Sequence, residues 1–293
     1  MTRSVCVIGN FDGVHRGHQR VLAEAAGDGA LPVVVITFWP HPLSVVRPGE
    51  APKLLADLAT RIELLKRCGA NEVRVVTFTP EVAAMSPLAF LERFVFPLNP
   101  ARVVVGENFR FGNKASGDVR TLKELGQGRF VVSPMALETL DGSVTCSTLI
   151  REAISSGDVE LAAQHLGRAF RARGVVVMGD QRGRQLGFPT ANLRMPTEMA
   201  VPEDGVYAGY VTRLDTRDAV AWPAAISVGT NPTFDGLDRR VESYVIDRTD
   251  LELYGIEIAV DFTARLRGQV KFDGIDALIV QMGRDVELAR QLL

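Results

Sequence analysis

Two histidines three residues apart, His15 and His18, stand in a glycine-rich run, Gly9-Asn10-Phe11-Asp12-Gly13-Val14-His15-Arg16-Gly17-His18. On the first turn of a helix such a pair lies on one side and can reach the same anion. The glycines let the backbone turn and approach a ligand. The helix start that follows offers unpaired N–H groups and the positive end of a dipole to phosphate. Transfer of an adenylyl group needs no covalent protein intermediate, only an oxygen nucleophile in line with the α-phosphate and donors for the charge that develops there. His15 and His18 can be those donors. An H-x-x-H pair alone is met as surface histidines or as a metal pair short of a third ligand, but the longer string after a first strand is far more specific.

Ser147, Thr148 and Arg151 form a second anion-binding set, two hydroxyls and a fork-shaped cation at a helix start. A third set is the run Gly179-Asp180-Gln181-Arg182-Gly183-Arg184-Gln185-Leu186-Gly187-Phe188-Pro189-Thr190-Ala191-Asn192-Leu193, in which three glycines and two arginines follow a strand. A loop of this kind can wrap a phosphate chain with its amides, and Thr190 and Asn192 offer neutral oxygens suited to a hard cation such as Mg2+. It lacks the Gly-Lys-Ser/Thr ending of a Walker loop, and its composition alone also fits a hairpin turn followed by an Asn turn.

The elements that must hold these residues change character along the chain. Through about residue 155, short β-branched runs at Ser4–Ile8, Leu31–Phe38, Glu72–Phe78, Arg102–Val105 and Arg129–Val132 read as strands buried on both faces. Helical patterns at Gly17–Ala26, Ala56–Cys68, Pro87–Phe94 and Asp118–Leu125 lie between them. This alternation predicts a doubly wound parallel sheet of α/β type with ligands at the carboxyl ends of its strands. A capped helix over Asp158–Leu166, closed by Gly167, is the expected bridge. Beyond it, Gly174–Met178, Val206–Leu214, Ala224–Val228, Arg240–Asp247 and Ile256–Arg265 read as strands with almost no helix between them. These predict a small antiparallel β-barrel, closed by a helix over Ile275–Leu293. The expected division is a first domain at 1–156, a linker helix at 157–169 and a second domain at 170–293.

With 293 residues, 46% of them hydrophobic, the chain is long enough for roughly two cores. A net charge of only -2 gives no overall positive field for nucleic acid or an anionic membrane. No apolar run approaches a membrane span or a signal-peptide core. Three widely separated cysteines fit a reducing compartment, so the expectation is a cytoplasmic protein acting on small phosphorylated molecules, with neither nucleic acid nor membrane as partner.

The first string resembles the HxGH nucleotidyltransferases, and in full it is similar to the prokaryotic bifunctional riboflavin kinase/FMN adenylyltransferase family. Thr37-Phe38-Trp39-Pro40-His41-Pro42, Val105-Gly106-Glu107-Asn108-Phe109-Arg110-Phe111-Gly112 and Ser147-Thr148-Leu149-Ile150-Arg151 agree with it. So do Gly187-Phe188-Pro189-Thr190-Ala191-Asn192-Leu193, Arg240-Val241-Glu242-Ser243-Tyr244 and Leu266-Arg267-Gly268-Gln269-Val270-Lys271-Phe272. The resemblance implies an enzyme that phosphorylates riboflavin with ATP to FMN and then adenylylates FMN to FAD, releasing pyrophosphate. On this match Gly9, Phe11, Asp12, Gly17, His15 and His18 serve the ATP phosphates, with the histidines catalytic. Pro40, His41, Pro42 and Asn108 line the FMN side, and Ser147, Thr148 and Arg151 close on the phosphates. In the second half Gly179, Arg184, Gly187, Phe188 and Pro189 form the nucleotide loop, Thr190 and Asn192 bind Mg2+ and ATP, and Glu242 accepts the proton of the ribityl 5′-hydroxyl. Arg267 belongs to a flap over the flavin. A monomer or weak homo-oligomer is expected. Two positions depart from the family: Trp39 stands where an acidic residue is common, and Cys146 where a second Ser is common. Trp39 stacks on a ligand or packs, and its departure leaves a kinase without FAD synthesis as the alternative, with a flavin-binding regulator behind it.

Overall fold

The computed structural model describes residues 3–27, 29–178, 187–216, 220–233 and 236–293, the side chains of 231–238 excepted. The chain divides into two compact units, Met1–Ser147 and Thr148–Leu293.

The first unit runs β1 (Ser4–Ile8), α1 (Arg16–Ala26), β2 (Val33–Trp39), α2 (Pro42–Val46), α3 (Leu58–Arg67), β3 (Glu72–Thr77), α4 (Pro80–Ala83), α5 (Pro87–Phe90), β4 (Pro100–Gly106), α6 (Val119–Leu125), β5 (Val131–Met135), and a hairpin of β6 (Thr139–Leu140) and β7 (Ser143–Val144). Its five-stranded sheet has the order β3-β2-β1-β4-β5, and every pairing is parallel. Because side chains alternate across a strand, β1 sends Cys6 and Ile8 to one face and Val5 and Val7 to the other. The first face packs with Phe90 of α5 and Leu122 of α6, the second with Leu22 of α1 and Leu65 of α3. Covering both faces is what makes β1 and β2 continuously apolar, as the sequence implied, whereas the edge strands β3 and β5, also expected to be buried on both faces, are exposed or half-buried along most of their length. Asp57 and Asp118 cap α3 and α6, accepting from Thr60 N at 2.7 Å and Thr121 N at 2.9 Å. The helix expected over Pro87–Phe94 winds instead into a π-helical turn at Leu91–Val95, ahead of Pro97, whose ring blocks continuation.

The second unit carries α7 (Ser147–Ser155), which starts at the boundary, then α8 (Val159–Leu166), β8 (Phe170–Val177), β9 (Ala191–Arg194), β10 (Gly205–Arg213), β11 (Ala221–Thr233), β12 (Gly236–Val245), β13 (Glu257–Gly268) and α9 (Ile275–Leu292). Asp158 caps α8 through Leu161 N at 2.9 Å, and Gly167 ends it at φ +72. The strands close a barrel in the order β10-β11-β12-β9-β8-β13, all pairings antiparallel. Leu193, Ile226, Val241, Val260 and Phe262 are fully buried. Ala208 and Ala225 meet Ala289 of α9 in a separate cluster on the barrel's outside. β9 lies within the stretch the sequence presented as a loop. Its four residues gain strand geometry only by pairing with β8 and β12.

Candidate active sites

In the first unit β1 has β2 on one side and β4 on the other, so chain order reverses at its carboxyl end, where open α/β sheets bind ligands. The glycine string leaves β1 there. A Cβ on Gly9 would stand 2.8 Å from the Phe11 ring, so only glycine fits that close approach. Phe11 and Val14 hold positive φ angles of 54° and 43°. His15 is the N-cap of α1, and its ring stacks on that of His18 at 3.6 Å between centroids, 21° between planes. Phe11 meets His18 edge-on at 5.1 Å. Nδ1 of His18 is buried and makes no hydrogen bond within the described structure. Burial pushes the His18 imidazole well below its usual 6.5, and His15 and Arg61 beside it push it further. A His18 ring held neutral by burial is one that an incoming polyphosphate can charge, because an anion favours the protonated imidazole.

These rings open onto a cleft of about 310 Å³. Of the residues singled out from the sequence it gathers Gly9, Phe11, His15, Gly17, His18, Asn108 and Ser147, with Cys146 beside them. The segment from Met135 to Glu138 completes the wall. Sequence reasoning missed this segment. Glu138, which pairs with Arg20 at 2.5 Å, carries no motif that could have marked it. Asp12 turns away from the cleft. Its carboxylate accepts from Leu55 N at 3.1 Å and Ala56 N at 3.3 Å and faces Arg61 at 3.4 Å, while its carbonyl accepts from Ser147 Oγ at 2.9 Å. Pro40, His41 and Pro42 follow β2 and are not among the lining residues. His41 caps α2, accepting from Leu43 N at 3.2 Å. Trp39 is half-buried, with the Arg61 guanidinium carbon 5.5 Å from its ring centre. Thr148 and Arg151 lie on α7, in the second unit.

In the second unit the register aligns Asn192 of β9, Glu242 of β12 and Ser227 of β11 side by side. Directly opposed residues point to one face of a sheet. That face also carries Tyr244 and Ala225, so it is the outer surface against which α9 packs. Asn192 is 5% exposed, and its Oδ1 has no hydrogen-bond partner in the described structure. Phe188 meets Tyr244 edge-on at 5.3 Å, bringing the Gly-Phe-Pro-Thr segment onto the same face. Just past β13, the Gln269 amide donates to Val228 O at 2.9 Å, next to Ser227. Arg267 grips Asp285 of α9 with Nε at 2.9 Å and Nη2 at 2.6 Å, and its Nη1 donates to Gly268 O at 2.9 Å, so the fork is committed to the last helix. Gly179 and Arg184 lie outside the described residues. Among the described residues no group of three or more His, Cys, Asp or Glu is placed to hold a metal, and no helix is long and apolar enough to cross a membrane.

Residues 1–149 match the FAD synthetase family model and residues 166–293 the riboflavin kinase model. A bifunctional riboflavin kinase/FMN adenylyltransferase from Listeria monocytogenes is 36% identical over 98% of this chain and 91% of its own length. Its namesake from Escherichia coli strain K12 is 34% identical over 98% and 92%. A crystal structure described as a macrolide-efflux protein from Streptococcus pneumoniae superposes with a TM-score of 0.88 at 33% identity, covering 99% of this chain and 94% of that one. With both halves matched in order and relatives aligned nearly end to end, the chain belongs to the bifunctional riboflavin kinase/FMN adenylyltransferase family.

Proposed function

We propose that the second unit transfers the γ-phosphate of ATP to riboflavin, giving FMN and ADP, and that the first joins FMN to the adenylyl group of a second ATP, giving FAD and pyrophosphate. The first domain spans 1–156, the helix over 157–169 bridges, and the kinase domain spans 170–293. The observation that carries the reading is the His15–His18 stack in a cleft at the strand-order reversal, with the His18 ring kept neutral by burial and its Nδ1 without a partner among the described residues. A phosphate oxygen of FMN attacks the α-phosphorus of ATP as the bond to the β-phosphate breaks. The two imidazoles and the first amides of α1 meet the charge that develops there. Gly9, Phe11 and Gly17 shape the floor, Asn108 and Ser147 the walls, and Asp12 fixes the loop from behind. Pro40, His41 and Pro42 with Asn108 serve the flavin side, and Thr148 and Arg151 the phosphates.

In the kinase, Glu242 orients the ribityl 5′-hydroxyl and takes its proton as the oxygen attacks the γ-phosphorus. Its cross-strand neighbour Asn192 presents a buried oxygen without a partner, and Thr190 lies two residues upstream. Neutral oxygens of this kind fit Mg2+, which keeps water and phosphate ligands besides one or two from the protein. When bound there, Mg2+ offsets phosphate charge. Gly179, Arg184, Gly187, Phe188 and Pro189 form the nucleotide loop, and Arg267 positions the flap through α9. The cysteines are all free, in keeping with a cytoplasmic enzyme, working as a monomer or weak homo-oligomer.

Purified protein incubated with riboflavin, ATP and Mg2+ should yield FMN and then FAD on chromatographic separation. FMN alone would leave only the kinase. His18→Ala should lower FAD formation about 100- to 1,000-fold and leave FMN formation intact, as expected for a lost charge-stabilising donor. Glu242→Gln should lower FMN formation about 100-fold or more while supplied FMN is still adenylylated. Equal losses in both reactions would contradict this division of labour.

A further inference from the structure

The loop that carries His15 holds two non-glycine residues in the left-handed region, Phe11 and Val14. For a β-branched valine that backbone is costly and persists only where the surroundings over-determine it. Val14 is held by its own amide on Phe11 O at 3.1 Å and by the Gln19 side chain on its carbonyl at 2.9 Å, and the loop residues ahead of it are held by buried charge. Arg61, on α3, is 0% exposed and Asp12 is 1% exposed. Arg61 Nη1 donates to Asn10 O at 3.0 Å, at the start of the loop, and to Phe38 O at 3.2 Å, near the end of β2. Its Nη2 faces Asp12 Oδ1 at 3.4 Å. Thr37 Oγ1 takes the same Asn10 carbonyl at 2.9 Å. Asp12 in turn receives the Leu55 and Ala56 amides, which fixes the segment leading into α3. One guanidinium therefore ties together the loop after β1, the end of β2 and α3.

We propose that Arg61, with Asp12 as its counter-ion, is a positioning residue for FAD formation: the pair sets the loop backbone from behind so that His15 and His18 face the cleft, without itself touching substrate. This rests on the adenylyltransferase reading of the first unit. Arg61 is not among the residues that line the cleft, so a direct role is set aside. The chemistry calls for arginine, because a planar fork can serve acceptors in several directions where an ammonium is a single point. A packing role alone does not call for it, since a buried ion pair is commonly matched or bettered in stability by apolar residues of similar volume. The charge has a second consequence. It is one of the groups that keep His18 neutral before ATP arrives, behind burial and His15. Removing it raises the His18 pKa toward its ordinary value, so the imidazole takes up its proton at a higher pH.

The test compares wild type with Arg61→Met, Arg61→Lys and the double variant Asp12→Asn/Arg61→Gln, supplying FMN and ATP. Arg61→Met should lower kcat for FAD formation about 100-fold through misplacement of the catalytic groups. KM for ATP and FMN should stay within about three-fold, since ground-state contacts are kept. FMN formation from riboflavin should be unchanged, and the His18 ring, followed by NMR, should titrate at higher pH than in wild type. Arg61→Lys should keep the low titration and recover part of kcat. Where Arg61→Met leaves the first unit unfolded by circular dichroism, the double variant, which buries no unpaired charge, should fold and show the same loss of kcat. Wild-type kcat in a folded Arg61→Met or in the double variant would overturn the proposal, as would a rise in KM alone. A wild-type protein that makes FMN but no FAD would instead remove the adenylyltransferase reading on which it rests.

Discussion

At the scale of single residues, burial sets Cys6 apart from Cys146. Cys6 sits in β1 with no exposure, and burial pushes its thiol up to about 12, with Arg74 opposing. A thiol so seldom ionised is a poor nucleophile. Cys146 is half-buried and lines the cleft beside Ser147. Iodoacetamide on the native protein should therefore label Cys146 and spare Cys6, as read by peptide mass. ATP should slow the Cys146 reaction, and the adduct should block FAD formation while FMN formation continues. Full labelling of Cys146 with undiminished FAD formation would show that substrate does not occupy this cleft. The same scale shows what residue types disclose. His15 and His18 stood out in their glycine-rich string, and the structure stacks them at the cleft. Asp12 stood in that string, yet no local pattern distinguishes a carboxylate aimed at a ligand from one aimed at a guanidinium 49 residues on. Arg61 did carry a faint signal. It sits four residues before buried Leu65, on the inner stripe of an amphipathic helix, where an arginine is out of place unless paired.

At the scale of elements, periodicity revealed strands that are buried on both sides and hid those that owe their form to a partner. β2, a seven-residue run of Val, Ile, Thr, Phe and Trp, could be read from composition. β9 could not, because Pro189 and Asn192 mark its sequence as a turn and the strand exists through β8 and β12. The same pairing places Asn192 beside Glu242, so the proposed kinase site becomes visible only with the register. Register also explains Gly209 on β10. A Cβ there would overlap the Asp261 carbonyl oxygen of β13 and press on Cδ1 of Ile226. Gly209→Ala forces the two strands apart at a closing pair of the barrel and should destabilise the second unit by about 1–3 kcal/mol, the usual cost of overpacking. Thermal denaturation followed by circular dichroism measures this. A melting temperature equal to wild type would mean the strands accommodate the methyl group.

At the scale of the whole molecule, the change from helix-spaced strands to helix-free strands after about residue 170 was enough to announce two architectures. A barrel was expected, but the strand order that closes it was not legible, because β13 joins β8 and β10 through contacts far apart in sequence. The apolar clusters on the two faces of the sheet lie wholly in the first unit, and the cluster under α9 wholly in the second. These clusters share no residue, so the two reactions should fail separately. Gly209→Ala supplies the damage without altering any residue assigned to either reaction. A loss of 1–3 kcal/mol in a unit of this size corresponds to a melting shift of about 3–10 °C. After brief heating across that interval and chilling, FMN formation from riboflavin should fall at a lower temperature in Gly209→Ala than in wild type. FAD formation from supplied FMN should fall at the wild-type temperature in both. If the substitution moves both inactivation curves by the same amount, the two units unfold as one, and the adenylyltransferase depends on an intact barrel.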